Sequence, residues 1–279
     1  MLKNVKEWFY PETIEECFEL LKKFDEKGEI VGGGLDIVWR ERNDLEYLIF
    51  LEKLPLNYIR IEDESIKIGA TTTIGKLEKE EKLKDFLFGS FLKSISGIAT
   101  PILRNIMTIG GTIARGYGWS DILTIFMTLD AKLNLFNGSY ISIPINDFIE
   151  YKKKKEKFII YELEIPKYNS QFHFSYIRFT RTSADIPLIN EGVLIKYENN
   201  LITKINVLLG GRPNYPIHLN EVENFLIQKD LSEENINFAK ELTKNVQVFD
   251  DLRASSEYRR ELASVLTRRN LIKIKEEIC

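Results

Sequence analysis

Glycine carries most of the chemistry this sequence offers. Gly32-Gly33-Gly34 follows the apolar Ile30 and Val31 and precedes Leu35-Asp36-Ile37, while Gly110-Gly111 sits between Met107-Thr108-Ile109 and Thr112-Ile113-Ala114. Lacking a Cβ, successive glycines let backbone N–H groups converge on anionic oxygens, a nest that needs no lysine. Taken alone, Gly32 to Gly34 is also the ordinary composition of a tight turn with positive φ. Two such turns, about 75 residues apart, could clamp one extended ligand such as a diphosphate, and the pair favours binding. Neither has the G-x-G-x-x-G or G-x-x-x-x-G-K-[ST] spacing of a standard dinucleotide or P-loop site.

Other chemistry is thin. No Ser/His/Asp or Cys/His constellation is present, so no general acid, base or nucleophile is assigned. His173 and His218 are the only histidines and have neither a cysteine nor a second histidine at ligand spacing, so no metal site is expected. Cys17 and Cys279 cannot build a disulfide framework or a cysteine-ligated cluster, so any iron–sulfur centre must sit on a partner.

The elements that must position the glycines follow from periodicity. Ile14, Cys17, Phe18 and Leu21 mark a helix over Thr13 to Phe24, with Thr13 and Glu16 as a capping box and Gly28 as its stop. A strand over Ile30 and Val31 enters the first glycine turn. Ile59, Ile61, Ile66 and Ile68 alternate as a hairpin, and helices are expected from Thr71 to Thr73 onward and over Phe86 to Ile98, before Pro101. A second glycine turn is expected at Gly110-Gly111, then a buried helix over Ile122 to Leu129. Asn137-Gly138 joins Lys132 to Phe136 and Ser139 to Ile143 in a hairpin. Lys152 to Lys157 reads as a solvated basic turn, with a docking surface for a partner or an anionic cofactor as the alternative. Strands over 172–179, 192–197 and 202–209 precede helices over 233–244 and 256–276.

With 279 residues, 44% of them hydrophobic, at least two domains are expected, and no internal repeat or low-complexity linker separates them. A net charge of -3 with interspersed acids and bases argues against nucleic acid. The charged, aromatic start MLKNVKEWFY is unlike a secretory signal, no stretch approaches a membrane span, and a cytoplasmic location is expected.

Gly32 to Ile37 resembles the A-G-G-T-D-L loop of the molybdenum hydroxylase flavoproteins. Arg104-Asn105 with Thr108 to Ala114 resembles their R-N-x-x-T-I-G-G-N-I-A loop, and Asp251 to Arg260 their D-x-R-A-S-A-x-Y-R tail. The family comprises the FAD subunits or domains of xanthine, carbon monoxide and nicotinate dehydrogenases and of 4-hydroxybenzoyl-CoA reductase. The resemblance implies an α+β fold. A two-subdomain FAD module of the vanillyl-alcohol oxidase (PCMH) type would occupy 1–168, divided at about 54 and 55, and a CO dehydrogenase flavoprotein-type α+β domain would occupy 169–279.

It further implies noncovalent FAD held by Val31, Gly32, Gly33, Gly34, Leu35 and Asp36 and by Thr108, Ile109, Gly110, Gly111 and Thr112. Ile98, Asp121, Ile160 and Arg178 would add contacts. From the residues alone, Asp121 reads equally as a helix cap and Ile160 as a buried strand residue. The family lysine near the flavin has no counterpart: Ile177 stands in its place, Arg178 is a displaced substitute, and Arg181 matches the family arginine. Gly32, Leu35 and Ile102 also depart from the pattern. The implied activity is electron transfer. [2Fe-2S] clusters on a small subunit would deliver electrons from a molybdenum cofactor on a large subunit, and NAD⁺ or another acceptor would take them from FAD. The alternatives are a self-contained flavin reductase or oxidase and a non-catalytic organising subunit.

Overall fold

The structure is a computed structural model describing residues 2–40, 42–211 and 215–278; Cys279 lies outside them. The chain forms two compact units, each assembled from separated segments. One comprises Met1–Lys79, Thr100–Arg115 and Asp130–Lys167, and the other Glu80–Ala99, Gly116–Leu129 and Tyr168–Cys279. The expected division is along the sequence, at 168/169 with subdomains parting at about 54/55, whereas these units are not contiguous in sequence: 80–99 and 116–129 belong with 168–279.

The first unit holds two sheets. A parallel sheet of three strands runs in the order Glu7–Phe9, Tyr47–Phe50, Gly28–Val31. Helix Ile14–Phe24 starts where Thr13 Oγ1 accepts from Glu16 N at 3.1 Å, a cap worth about 1 kcal/mol. Its Cys17, Phe18 and Leu21 pack against Ile49, Phe136 and Ile159. The helix ends before Gly28, at Asp25 with φ 46°, and Gly28 instead opens the strand, because a single short turn intervenes. The second sheet has five antiparallel strands in the order Ile59–Ile61, Ser65–Gly69, Ile159–Pro166, Lys132–Phe136, Tyr140–Pro144. Both expected hairpins are present in it.

The second unit is built on an antiparallel sheet ordered Ile217–His218, Leu201–Gly210, Ile189–Glu198, Phe172–Phe179. Helix Ser256–Ile278 buries Leu262, Leu266, Leu271 and Ile274 in the same core as Val193, Ile195 and Val207. The helix expected over Phe86 to Ile98 is confined to Ser90–Ser96, because Leu87, Phe88 and Gly89 all take positive φ and turn the chain first.

The tail motif has a structural role. Arg259 is fully buried, donates to the Leu188 carbonyl, and places Nη2 2.7 Å from Asp251 Oδ1. Asp251 Oδ1 also accepts from the backbone N–H groups of Arg253 and Ala254 at 2.8 and 3.1 Å, so the motif locks the entry to the last helix. Near the middle of that helix, Thr267 Oγ1 lies 2.7 Å and Asn270 Nδ2 3.1 Å from the fully buried Glu191 carboxyl. Burial pushes the Glu191 carboxyl up to about 8.

Candidate functional site

The first glycine run leaves strand Gly28–Val31 and enters helix Leu35–Trp39 through Gly34, which has φ 74°. An ideal Cβ on Gly33 would stand 1.8 Å from the Ile106 carbonyl oxygen, so only glycine lets this turn lie against the 104–108 segment. Gly32 also lies close to Thr108, whose Oγ1 would be 2.7 Å from its ideal Cβ. The two motifs therefore touch. Among the described residues the backbone N–H groups of Gly32, Gly33 and Gly34 have no hydrogen-bond partner within the chain. Val31 is buried behind them, and Leu35 and Asp36 are partly exposed at the start of the short helix.

The second glycine pair differs from the turn expected of it. Gly110 and Gly111 lie inside helix Ile109–Arg115. Ile109 N donates to the Thr72 carbonyl and Gly110 N to the Ala70 carbonyl, each at 2.9 Å, while Gly111 N donates to Thr108 Oγ1 at 3.2 Å. An ideal Cβ on Gly110 would meet Ala70 Cβ at 2.6 Å. This glycine thus serves helix–strand approach rather than positive φ. Thr112 Oγ1 donates to the Thr108 carbonyl at 2.9 Å, tightening the same turn.

A cleft of 470 Å³ opens where the motifs meet, and its walls include Gly32, Thr108, Gly110, Gly111 and Ile160. The Ile160 side chain is 7% exposed on strand Ile159–Pro166, at once a packed strand residue and part of the wall. Of the charged lining, Asp25, Glu26, Glu29, Arg42 and Arg115 carry no signal in the sequence, whereas Glu156 and Lys157 belong to the basic run singled out there. Lys157 is paired with Asp25 at 2.7 Å, and Lys152 donates to the carbonyls of Ala114 at 2.8 Å and Arg115 at 3.1 Å. The basic run is consequently more than a solvated turn, since Lys152 caps the glycine-containing helix. Burial and the nearby Arg115 lower the Lys152 ammonium below its ordinary value.

The remaining predicted residues lie in the second unit. Asp121 is buried; its Oδ1 accepts from Tyr176 Oη at 2.5 Å and from Arg178 Nε at 3.0 Å. Arg178 also donates to the carbonyls of Gly97 at 2.6 Å, Ser183 at 3.1 Å and Asp185 at 2.6 Å. Ile98, beside the first of these carbonyls, is 3% exposed. Burial holds the Asp121 carboxyl above its usual range, although the guanidinium beside it pulls the other way. Ser120, not Asp121, caps helix Asp121–Thr128, accepting from Leu123 N at 3.2 Å. Strand alternation directs Tyr176 and Arg178 to Asp121, while Ile177 packs on the hydrophobic core. An apolar residue at 177 thus meets an apolar environment.

Residues 3–168 match the family model described as FAD binding domain in molybdopterin dehydrogenase. The chain belongs to this FAD-binding family. Residues 174–274 match the CO dehydrogenase flavoprotein C-terminal domain. A nicotinate dehydrogenase FAD-subunit from Eubacterium barkeri is 29% identical over 247 residues, 82% of each chain. A glyceraldehyde dehydrogenase medium chain from Sulfolobus acidocaldarius is 26% identical over 92% of this chain and 93% of its own. The fold is shared with a carbon monoxide dehydrogenase from Hydrogenophaga pseudoflava, with TM-score 0.90 and 20% identity over 99% of each chain. The residues present fit the family's cofactor: unpartnered N–H groups line an open turn, and the adjoining cleft has an apolar wall at Ile160. Among the described residues no group of His, Cys, Asp and Glu could hold a metal ion, and no helix is long and apolar enough to cross a membrane.

Proposed function

We propose that this member of the molybdopterin dehydrogenase FAD-binding family is the electron-transferring flavoprotein subunit of a molybdenum hydroxylase complex, working in the cytoplasm. It takes electrons from [2Fe-2S] clusters on a small subunit and passes them to NAD⁺ or another acceptor, while a large subunit carries the molybdenum cofactor. The observation that carries the reading is the Gly32 to Gly34 turn, whose three backbone N–H groups have no acceptor among the described residues and whose Gly32 lines a cleft shared with the second motif. Oriented N–H dipoles meet phosphate charge without a lysine.

In this reading Val31 to Asp36 hold the FAD diphosphate, with Gly32, Gly33 and Gly34 as its principal donors. Thr108, Ile109, Gly110, Gly111 and Thr112 shape the opposite wall, because two of their amides already serve the Ala70 and Thr72 carbonyls. Ile160 supplies apolar contact. Ile98, Asp121 and Arg178 are further proposed FAD contacts, with Arg178 in place of the family lysine. The segment 1–168 is the FAD-binding domain, with subdomains of about 1–54 and 55–168, and 169–279 the C-terminal domain. FAD supplies the exchange between one-electron and two-electron transfer. The chain supplies binding, orientation and a neutralised charge environment.

The test is spectroscopic. Purified protein is expected to show a flavin spectrum, to release FAD in acid, and to bleach when NADH is added without oxygen. FAD that NADH leaves oxidised assigns a different acceptor. A colourless protein that cannot be reconstituted with FAD overturns the reading.

A further inference from the structure

Around the first glycine turn stands a partly buried arrangement of charges of which only Asp36 belongs to the family's motifs. Arg115, the last residue of helix Ile109–Arg115, places Nη2 2.6 Å from Glu29 Oε1 and Nε 2.6 Å from Asp36 Oδ2. Arg40 reaches the same two atoms, with Nη2 3.0 Å from Glu29 Oε1 and Nε 2.6 Å from Asp36 Oδ2. Two carboxylates and two guanidinium groups thus alternate in a closed square. Arg42 braces it from outside, with Nη1 3.3 Å from Glu29 Oε2. The four side chains of the square are 17–27% exposed, so their charges are screened less than surface pairs.

The square joins three pieces of backbone that the cofactor needs in register. Glu29 belongs to the strand leading into the first turn, Asp36 to the helix leaving it, Arg40 to the C-cap of that helix, and Arg115 to the helix that carries Gly110 and Gly111. Arg115 also lines the cleft with Gly32, Gly110 and Gly111. Lys152 holds the Ala114 and Arg115 carbonyls, so the end of the helix is fixed before its side chain reaches across. A guanidinium suits this task because Nη2 hydrogen-bonds Glu29 while Nε stands at ion-pair distance from Asp36 Oδ2, whereas an ammonium acts as a point charge.

We propose that Arg115 is a positioning residue that fastens the second glycine helix to both sides of the first glycine turn, holding the diphosphate-binding N–H groups in place before FAD arrives. This rests on the FAD reading above. Pre-organisation of that kind appears as affinity, since less ordering remains to be done on binding.

The experiment titrates flavin-free full-length protein with FAD by fluorescence and records the melting temperature of the same flavin-free protein. Arg115→Gln should weaken FAD binding at least tenfold at low salt, while flavin-free melting stays within a few degrees. Arg115→Lys should recover part of the affinity, because one of the two carboxylates is still met. The gap between wild type and Arg115→Gln should narrow in concentrated salt. Arg115→Gln protein that binds FAD like the wild type overturns the role of Arg115 alone, as does an affinity loss matched by an equal loss of flavin-free stability. Wild-type protein that takes up no FAD overturns the cofactor reading and this inference with it.

Discussion

Glu191 is a buried acid with no cation among its determining contacts; Thr267 and Asn270 are its hydrogen-bonding neighbours. Its carboxyl is pushed from an ordinary 4.5 to about 8, so between those values the folded chain holds a proton that the unfolded chain has released. Stability from this group is full below the unfolded value and is lost as pH rises through the folded one, with a slope of at most about 1.4 kcal/mol per pH unit. Glu191→Gln should flatten urea-unfolding stability across that window and exceed the wild type above it; parallel profiles would refute the assignment. Arg178→Met poses the complementary case, leaving Asp121 buried without its cation at a cost of about 3–5 kcal/mol, measurable as a lower urea midpoint. Neither environment was legible in the sequence. Glu191 looked like one acid among many, because its burial depends on pairing with Ile177 across the sheet and on the last helix covering it. Arg178 is readable in the sequence as a cofactor contact and displaced substitute for the family lysine, not as the partner of Asp121, and strand alternation is what turns it, rather than residue 177, toward that carboxyl.

Among the elements, those whose periodicity agrees with their packing were readable. The hairpin through Asn137-Gly138 and the helix after Thr13 follow local rules closely enough that their neighbours add little. Gly110-Gly111 was misread as a turn because glycine's two uses, positive φ and close approach, look alike in a sequence. Only the Ala70 backbone alongside decides between them. The square around Arg115 was invisible for a similar reason, since its members are spread from residue 29 to 115. Gly33 tests the close approach directly. Gly33→Ala would drive a methyl group into the Ile106 carbonyl, separating the two motifs at a cost of about 1–3 kcal/mol. The expected result is a lowered melting temperature together with loss of bound FAD in the purified protein. An alanine variant that retains FAD at full occupancy would show that the turn tolerates widening.

Across the whole molecule, family resemblance made the class of fold legible, but the exchange of segments between units was not. Helix Ser90–Ser96 packs on strand Phe172–Phe179, and helix Asp121–Thr128 on the strands Ile189–Glu198 and Leu201–Gly210. Phe91 and Phe126 are fully buried, and Thr124 and Asn190 share a hydrogen bond of 3.0 Å. A fragment of residues 169–279 should therefore expose the sheet face those helices cover and fail to give a cooperative melt by circular dichroism, whereas a sharp transition would show that this segment is self-sufficient. The same exchange bears on how the protein is made. A ribosome releases Phe91 and Phe126 long before the strands that will cover them, so the nascent chain carries greasy helices without a seat while dozens of further residues are polymerised. Holdase chaperones bind such exposed apolar surface. Production of this subunit should accordingly depend on chaperone supply.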